Sequence, residues 1–359
     1  MKIKNLEISA IILMLMISNF LGNGVFALIK SSGVDSARVI FISSIVGLVI
    51  LYFFMTSFNF KKEYTIREKI DYLFGKPFNY IIKTSLFGLN FILFTISLYS
   101  IMTFITSQFL ANTPHIVVGI LFLILVIYIN IRCIDNICKT SFILLILNLI
   151  TYSVNVLGLI PDVKVDNLKP ILENGVPYYG ILASITMNIL PLFVLLVIPK
   201  DKIDNNKYTN KYIIGGYFIS LLLIYLLMFI ILGCLGSDLA SFYQYPEYMI
   251  LQKVNFFNFL NQLENVIDIQ WIFGLFTVCS MCLYYITRMI KVKKSYDKWT
   301  IILGILGLLF SLFVYKDITN YNNFIYKSIP FVFGVDFIIH LIIVIRIKMV
   351  RRKGKVNIN

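Results

Sequence analysis

The sequence predicts a polytopic α-helical membrane protein of about ten transmembrane helices, and three observations carry that prediction. Of 359 residues, 59% are hydrophobic and only 14% charged, against about a quarter charged in ordinary globular domains. Mean hydropathy is +0.85. The apolar residues also come in long blocks, such as the uncharged stretch from Ile181 to Ile198, and roughly 20 mostly apolar residues cross the core of a bilayer. The hydrophilic stretches between blocks are too short to form a soluble catalytic domain.

Taken in order, the expected spans are 7–29, 36–57, 82–110, 115–132, 141–160, 178–198, 212–236, 265–288, 299–315 and 329–347. Lys2 and Lys4 before the run Ile8 to Leu21 imitate a signal peptide. The apolar stretch continues to Ile29 without a small-residue cleavage site, so it reads as an uncleaved first span. Segment 61–76 reads as a short connector with amphipathic character. In the outer loop 236–264, Ile250, Val254, Phe257 and Leu260 recur at helical spacing, as in a helix lying at the interface. The basic tail 348–359 closes a single transmembrane domain spanning 1–359.

The formal charge is +14. In a soluble protein that would raise nucleic acid as a partner; here it is a topology signal. With both termini cytoplasmic, 25 of the 32 Lys and Arg residues fall inside and 7 outside, as the positive-inside rule requires. The lipid bilayer is the partner that this charge pattern implies, and nucleic acid is not. Two histidines and five cysteines leave little for a metal or redox centre. Cys279-Ser280-Met281-Cys282 sits in an apolar helix without basic neighbours to lower a thiol pKa, and reads as packing. No phosphate loop is present. No motif implies a cofactor, and an intramembrane enzyme lacks a catalytic pair.

The helix breaks are the most informative local features. Gly22-Asn23-Gly24-Val25 lies in the middle of span 1, where each glycine costs a helix about 1 kcal/mol relative to alanine. Unwound backbone at membrane depth is tolerated where it is buried in protein or lines a wet cavity, and its freed N–H and C=O groups become ligand contacts. Close packing through small residues is the alternative. Span 6 carries Thr186-Met187-Asn188-Ile189-Leu190-Pro191, where the proline removes a backbone hydrogen bond. Breaks in the first and sixth of ten spans fit a five-plus-five inverted repeat, about 7–160 and 178–347, with the two breaks side by side at the midplane.

Gly22-Asn23-Gly24-Val25-Phe26 resembles the Gly-x-Gly-Ile/Val-Phe signature of the amino acid/polyamine/organocation (APC) transporter superfamily. Asn167-Leu168-x-Pro170 with Gly175, then Tyr245-Pro246 and Phe259-Leu260-Asn261-Gln262-Leu263-Glu264, resemble more narrowly the spore germination permeases. These are the B-type subunits of germinant receptors in endospore-forming bacteria. Gln262 departs from the family, which commonly has a basic residue there. The resemblance implies an APC-type transporter fold in the spore inner membrane and a small germinant, typically an amino acid. It also implies two partners, an A-type membrane subunit and a C-type lipoprotein.

On this reading the ligand-binding candidates are Gly22, Asn23, Gly24 and Val25 in span 1, Thr186, Asn188 and Pro191 in span 6, Tyr99 in span 3, and Phe276, Thr277 and Ser280 in span 8. The ligand's carboxylate is expected at N–H groups of the first break, at the positive end of the following half-helix. Its ammonium is expected at carbonyls freed between Asn188 and Pro191, with Tyr99 and Phe276 closing over the side chain. Asp336 and His340 lie four residues apart on one face of span 10. They are candidates for an ion or proton site, against a structural pair with Asp336 near the outer interface. Span 5 offers Asn148, Thr151, Tyr152 and Asn155, but not the mid-span lysine that some proton-coupled relatives in the superfamily use. The expected function is a germinant-receptor subunit that triggers germination; the competing reading is an ion-coupled amino-acid permease.

Overall fold

The computed structural model describes residues 2–169, 175–251, 264–290, 296–352 and 354, with the side chains of residue 251 and residues 264–269 excluded. Pro170, the Phe259–Leu263 part of the outer-loop motif, the run 252–263 and most of the tail fall outside the described residues. The described chain is almost entirely helical. Eight helical stretches are long and apolar enough to cross a membrane. The first, Asn5–Phe58, runs 54 residues, which as one helix would measure roughly 80 Å. No bilayer core is that thick, and Gly33 breaks the run at φ 50°, ψ −126°. It therefore supplies two crossings. A further 17-residue apolar helix, His115–Ile131, completes ten segments.

The first crossing is α1 (Asn5–Asn19), a wide turn Phe20–Gly24, and α2 (Val25–Ser32). α3 (Ser36–Phe58), α5 (Lys76–Gln108), α6 (His115–Ile131) and α7 (Ile134–Leu159) follow, with the short α4 (Ile66–Leu73) between α3 and α5. Crossing six is α8 (Tyr178–Ser184) continued by π and 3-10 turns to Val197. The rest are α9 (Thr209–Phe242), the loop helix α10 (Pro246–Leu251), α11 (Glu264–Met289), α12 (Tyr296–Tyr315) and α13 (Ile318–Arg352). α1 is buried along most of its length, packed against α7, α9 and α11. It is the central post of the bundle.

The loops sort to two ends as the charge count requires. Ile3 pairs with Ile203 as an isolated bridge, the Asp201 N–H donates to Lys62 O at 3.2 Å, and Arg67 and Arg346 donate to Ile290 O and Leu73 O. Those segments share one end. At the other, Asn167 donates to Gly233 O at 2.8 Å, and Arg38 to Leu168 O at 2.8 Å. The Asn167-Leu168 motif thus ties the loop between α7 and α8 to α9 and to the start of α3.

Segment 61–76 is more than a solvated connector. α4 opens with a capping box between Thr65 and Glu68 and buries Ile66, Lys69, Ile70 and Leu73. The Lys69 ammonium donates to Ser57 O at 2.9 Å and Phe58 O at 3.3 Å, the carbonyl end of α3, where a cation is favoured. Burial, with Lys200 nearby, pushes its pKa down to about 7.

Candidate functional site

The first break forms where the glycines predict it. Leu21 (φ −55°, ψ 141°) and Gly22 (φ 67°, ψ −86°) leave the helix, and it resumes at Asn23 and Gly24. Only glycine takes the Gly22 conformation without strain. A Cβ there would also collide with the Trp271 indole of α11. Gly24 is helical (φ −69°, ψ −44°), and a Cβ on it would stand 3.0 Å from Phe20 Cδ2 and 3.3 Å from Asn19 O. The two glycines therefore do different work: Gly22 makes the turn, and Gly24 keeps the next turn tight.

Span 6 behaves differently. It stays wound but changes pitch: a π turn over Ile185–Ile189 gives way to eight residues of 3-10 helix, Leu190–Val197, with Pro191 near its start. Proline has no N–H for the preceding turn, and 3-10 runs longer than three or four residues are uncommon within a helix. The two distorted stretches pack against each other.

Beside them lies a cavity of about 70 Å³, ample for several waters. Its polar wall is Asn19, Asn23, Asn90, Thr186, Ser328 and Asp336, drawn from spans 1, 3, 6 and 10, with Pro191 among its apolar neighbours. Asn19 and Asn90 donate their amides to carbonyls one turn back, Leu15 O at 2.7 Å and Leu86 O at 2.9 Å. Those bonds fix the amide orientation, because a carbonyl can only accept. Asn23 donates to Ser100 Oγ at 2.7 Å, which meets Tyr321 O–H at 2.6 Å. The amide oxygens of Asn19 and Asn90 are left to accept, one carboxylate joins them in the wall, and among the described residues no Lys, Arg or His lines the cavity. The lining suits a cationic group.

Of the expected site residues, Asn23, Thr186, Pro191 and Asp336 line this cavity. Gly22, Gly24 and Val25 form the adjoining backbone. The others face elsewhere. Asn188 donates to Ser184 Oγ at 3.2 Å, and Ser184 meets Ser43 of α3 at 2.6 Å, so Asn188 serves the contact with span 2. Phe276 packs edge-on against Phe122 of α6, and Thr277 accepts from Ser141 of α7. α11 turns Trp271 and Gly274 toward span 1. At roughly 100° per residue, Phe276 has rotated away from that face, and Ser280 is buried without a partner. Tyr99 lies outside the cavity wall, packed at a tilt against Tyr321 (centroids 4.8 Å, 45°) and Tyr315 (5.2 Å, 60°). It joins an aromatic layer tied to Asn23 through Ser100.

Asp336 and His340 share a face, with His340 Nε2 3.5 Å from Asp336 Oδ1. His340 stacks flat on Phe193 at 3.4 Å and does not line the cavity. Asp336 lies close to the midpoint of α13 (Ile318–Arg352), is 7% exposed and lines the cavity. Sequence reasoning missed Asn19 and Asn90. Asn19 is four residues before Asn23, and Asn90 interrupts an apolar run, which is the available signal for both. It also missed Glu247, whose Oε1 accepts from the Gly22 N–H at 2.5 Å.

Residues 6–321 match the family of spore germination proteins. The chain belongs to that family. Among its relatives, spore germination protein A2 of Bacillus subtilis is 24% identical over 190 residues, 51% of each chain. The putative spore germination protein YfkT of the same organism is 27% identical over 113 residues, 31% of this chain and 30% of that one. The alignments thus span about half of one relative's length and under a third of the other's. Among solved structures, a Na+-coupled sialic acid symporter superposes with a TM-score of 0.63 at 13% identity, over 92% of this chain and 77% of that one. A manganese transporter of Eremococcus coleocola gives 0.67 at 11%, over 95% and 78%. Mhp1, a nucleobase-cation-symport-1 family transporter, gives 0.55 at 17%, over 92% and 76%. At these identities the likeness is one of fold, and this spore germination family member has the APC-type transporter fold.

Proposed function

We propose that this spore germination protein is the transporter-fold subunit of a germinant receptor. It binds a small amine-bearing germinant, an amino acid first, and the occupied site triggers germination. The cavity between spans 1, 3, 6 and 10 carries the reading, through its amide oxygens and the Asp336 carboxylate and its freedom from basic side chains. An ammonium is matched there by charge-assisted hydrogen bonds. Because Glu247 holds the Gly22 N–H in this conformation, the ligand's ammonium end has the better seat. Its carboxylate reaches that N–H only if Glu247 withdraws. An A-type membrane subunit and a C-type lipoprotein complete the proposed receptor, in the spore inner membrane with both termini cytoplasmic.

The test is germination of spores carrying this receptor alone, titrated with a panel of amino acids and with their N-acetyl forms. Acetylation removes the ammonium charge and should abolish the response. Equal midpoints for a germinant and its N-acetyl form would refute the ammonium seat. The likeness to symporters favours one alternative, an ion-coupled amino-acid permease. Uptake into vesicles containing the purified protein, with a normal germination response in a deletion strain, would establish that reading instead.

A further inference from the structure

A second, smaller cavity lies on the other side of the first break, between α1, α7, α9 and the loop helix α10. Four polar side chains line it, each more than nine-tenths buried: Glu247 and Asn155 are 3% exposed, Gln270 6% and Tyr152 8%, and of these the Tyr152 hydroxyl is engaged, donating to Leu223 O at 2.8 Å. Glu247 Oε1 is engaged by the Gly22 N–H, but its Oε2 has no partner. Neither amide atom of Asn155 is hydrogen-bonded, and the Gln270 amide makes no hydrogen bond among the described residues. The other walls are apolar, including Ile17, Leu21, Val156 and Leu159. The free space is about 20 Å³, room for a single water-sized occupant.

Buried polar groups are ordinarily bonded, and a cluster that is not points to an occupant. A carboxylate in this setting also needs its charge matched. Among the described residues, no ion pair includes Glu247 and no basic side chain lines the cavity. What the walls offer is an unpartnered carboxylate oxygen and two carboxamide side chains whose oxygens can accept or coordinate, around a space the size of one ion. Hard cations take oxygen donors of this kind. A single carboxylate balances one positive charge, and the described residues hold no group of three or more His, Cys, Asp or Glu for a multivalent metal. We propose that Glu247, Asn155 and Gln270 bind one alkali cation, Na+ or K+, beside the break in span 1. Bound there, the ion ties α10 to α7 and to the backbone of the break.

Trp271 is a built-in reporter. Its indole lies over Gly22 and donates to Ser18 O at 3.2 Å. The other tryptophan, Trp299, is 38% exposed on α12 and is removed by Trp299→Phe. The full chain with that change, in lipid nanodiscs and an N-methylglucamine buffer of constant ionic strength, is titrated with NaCl and with KCl. Trp271 emission and melting temperature are followed together. A saturable change with one or both salts is expected, its midpoint raised at least tenfold or lost in Glu247→Gln and Asn155→Leu. Should Glu247→Gln not fold, Asn155→Leu and Gln270→Leu decide. The assignment is overturned if neither readout responds to either cation, or if the variants keep the parent midpoint. A response to pH with none to Na+ or K+ overturns it too, by assigning the cavity to a proton.

Discussion

Gly22 and Gly24 look interchangeable in the sequence, and their alanine variants should not behave alike. Gly22→Ala places a Cβ at φ 67°, ψ −86°, and a left-handed conformation costs an L-residue about 1–2 kcal/mol. The same Cβ runs into the Trp271 indole, which is 2% exposed and hydrogen-bonded to Ser18 O. Overpacking a filled site costs about 1–3 kcal/mol more. The variant should therefore lose about 2–5 kcal/mol if it folds at all. At Gly24 the backbone is already helical, so alanine gains up to about 1 kcal/mol of helix propensity. Its 3.0 Å approach to Phe20 Cδ2 offsets that gain, and the net should fall within about 1 kcal/mol of zero. The assay is thermal unfolding of the purified variants in one detergent, followed by Trp271 emission, beside the germinant midpoint in spores. Gly22→Ala should melt well below the parent with shifted Trp271 emission, and Gly24→Ala near it. Equal melting of the two variants, or the reverse order, would refute the turn at Gly22 and with it the account of the break.

Asp336→Asn should leave the protein in the membrane and raise the germinant midpoint roughly 10- to 100-fold, on about 1.5–3 kcal/mol for a hydrogen bond to a charged group; an unchanged midpoint at every pH removes Asp336 from the site. Leu48→Ala, a side chain 42% exposed on α3, should shift neither midpoint nor melting. Lys69 titrates near 7 folded against 10.5 as its ordinary value, so between those pH values the unfolded chain holds the extra proton and stability should rise with pH. Lys69→Met should flatten that rise, which pH-dependent melting measures. Single cysteines at Lys164 and Asn205 in a cysteine-free background should label from opposite sides of the membrane, Lys164 from outside; labelling from one side would overturn the span map.

The fold was legible because the bilayer leaves so few options: apolar blocks of spanning length must be helices, and the sidedness of Lys and Arg orders their ends. The first break was legible for a similar reason, since two glycines around an asparagine have no good place inside a helix. Which side chains share a cavity was not legible at that level. Thr277 and Ser280 are as polar as Thr186, yet they lie on the face of α11 turned toward α7 or sealed within the packing. Rotation about a helix axis by one residue decides this, and uniformly apolar flanks give no periodicity to read it from. Asn188 was misleading in the same way: its Oδ1 is buried and unbonded, beside Ser184 rather than in the cavity. Glu247 was hidden for another reason. Its partner is a backbone N–H 225 positions away, and nothing in a loop sequence announces so distant a contact.

The break in span 1 is where these contacts converge. Within five residues, Asn19 and Asn23 face the larger cavity, Asn23 reaches the aromatic layer through Ser100 and Tyr321, and the Gly22 N–H holds Glu247. Trp271 closes the remaining side. A group entering the larger cavity and an ion entering the smaller one would therefore act on the same few backbone torsions. Two occupants that bias one element are coupled, and the coupling is reciprocal: if the cation tightens germinant binding by some factor, the germinant tightens cation binding by the same factor. A transporter uses such coupling to move one solute with another, cycling the break between two access states. A receptor needs only the first half of that cycle, a ligand-dependent choice between two states of the break. The fold shared with symporters and membership in a germination family are compatible for this reason, because sensing requires the coupled sites and not the passage.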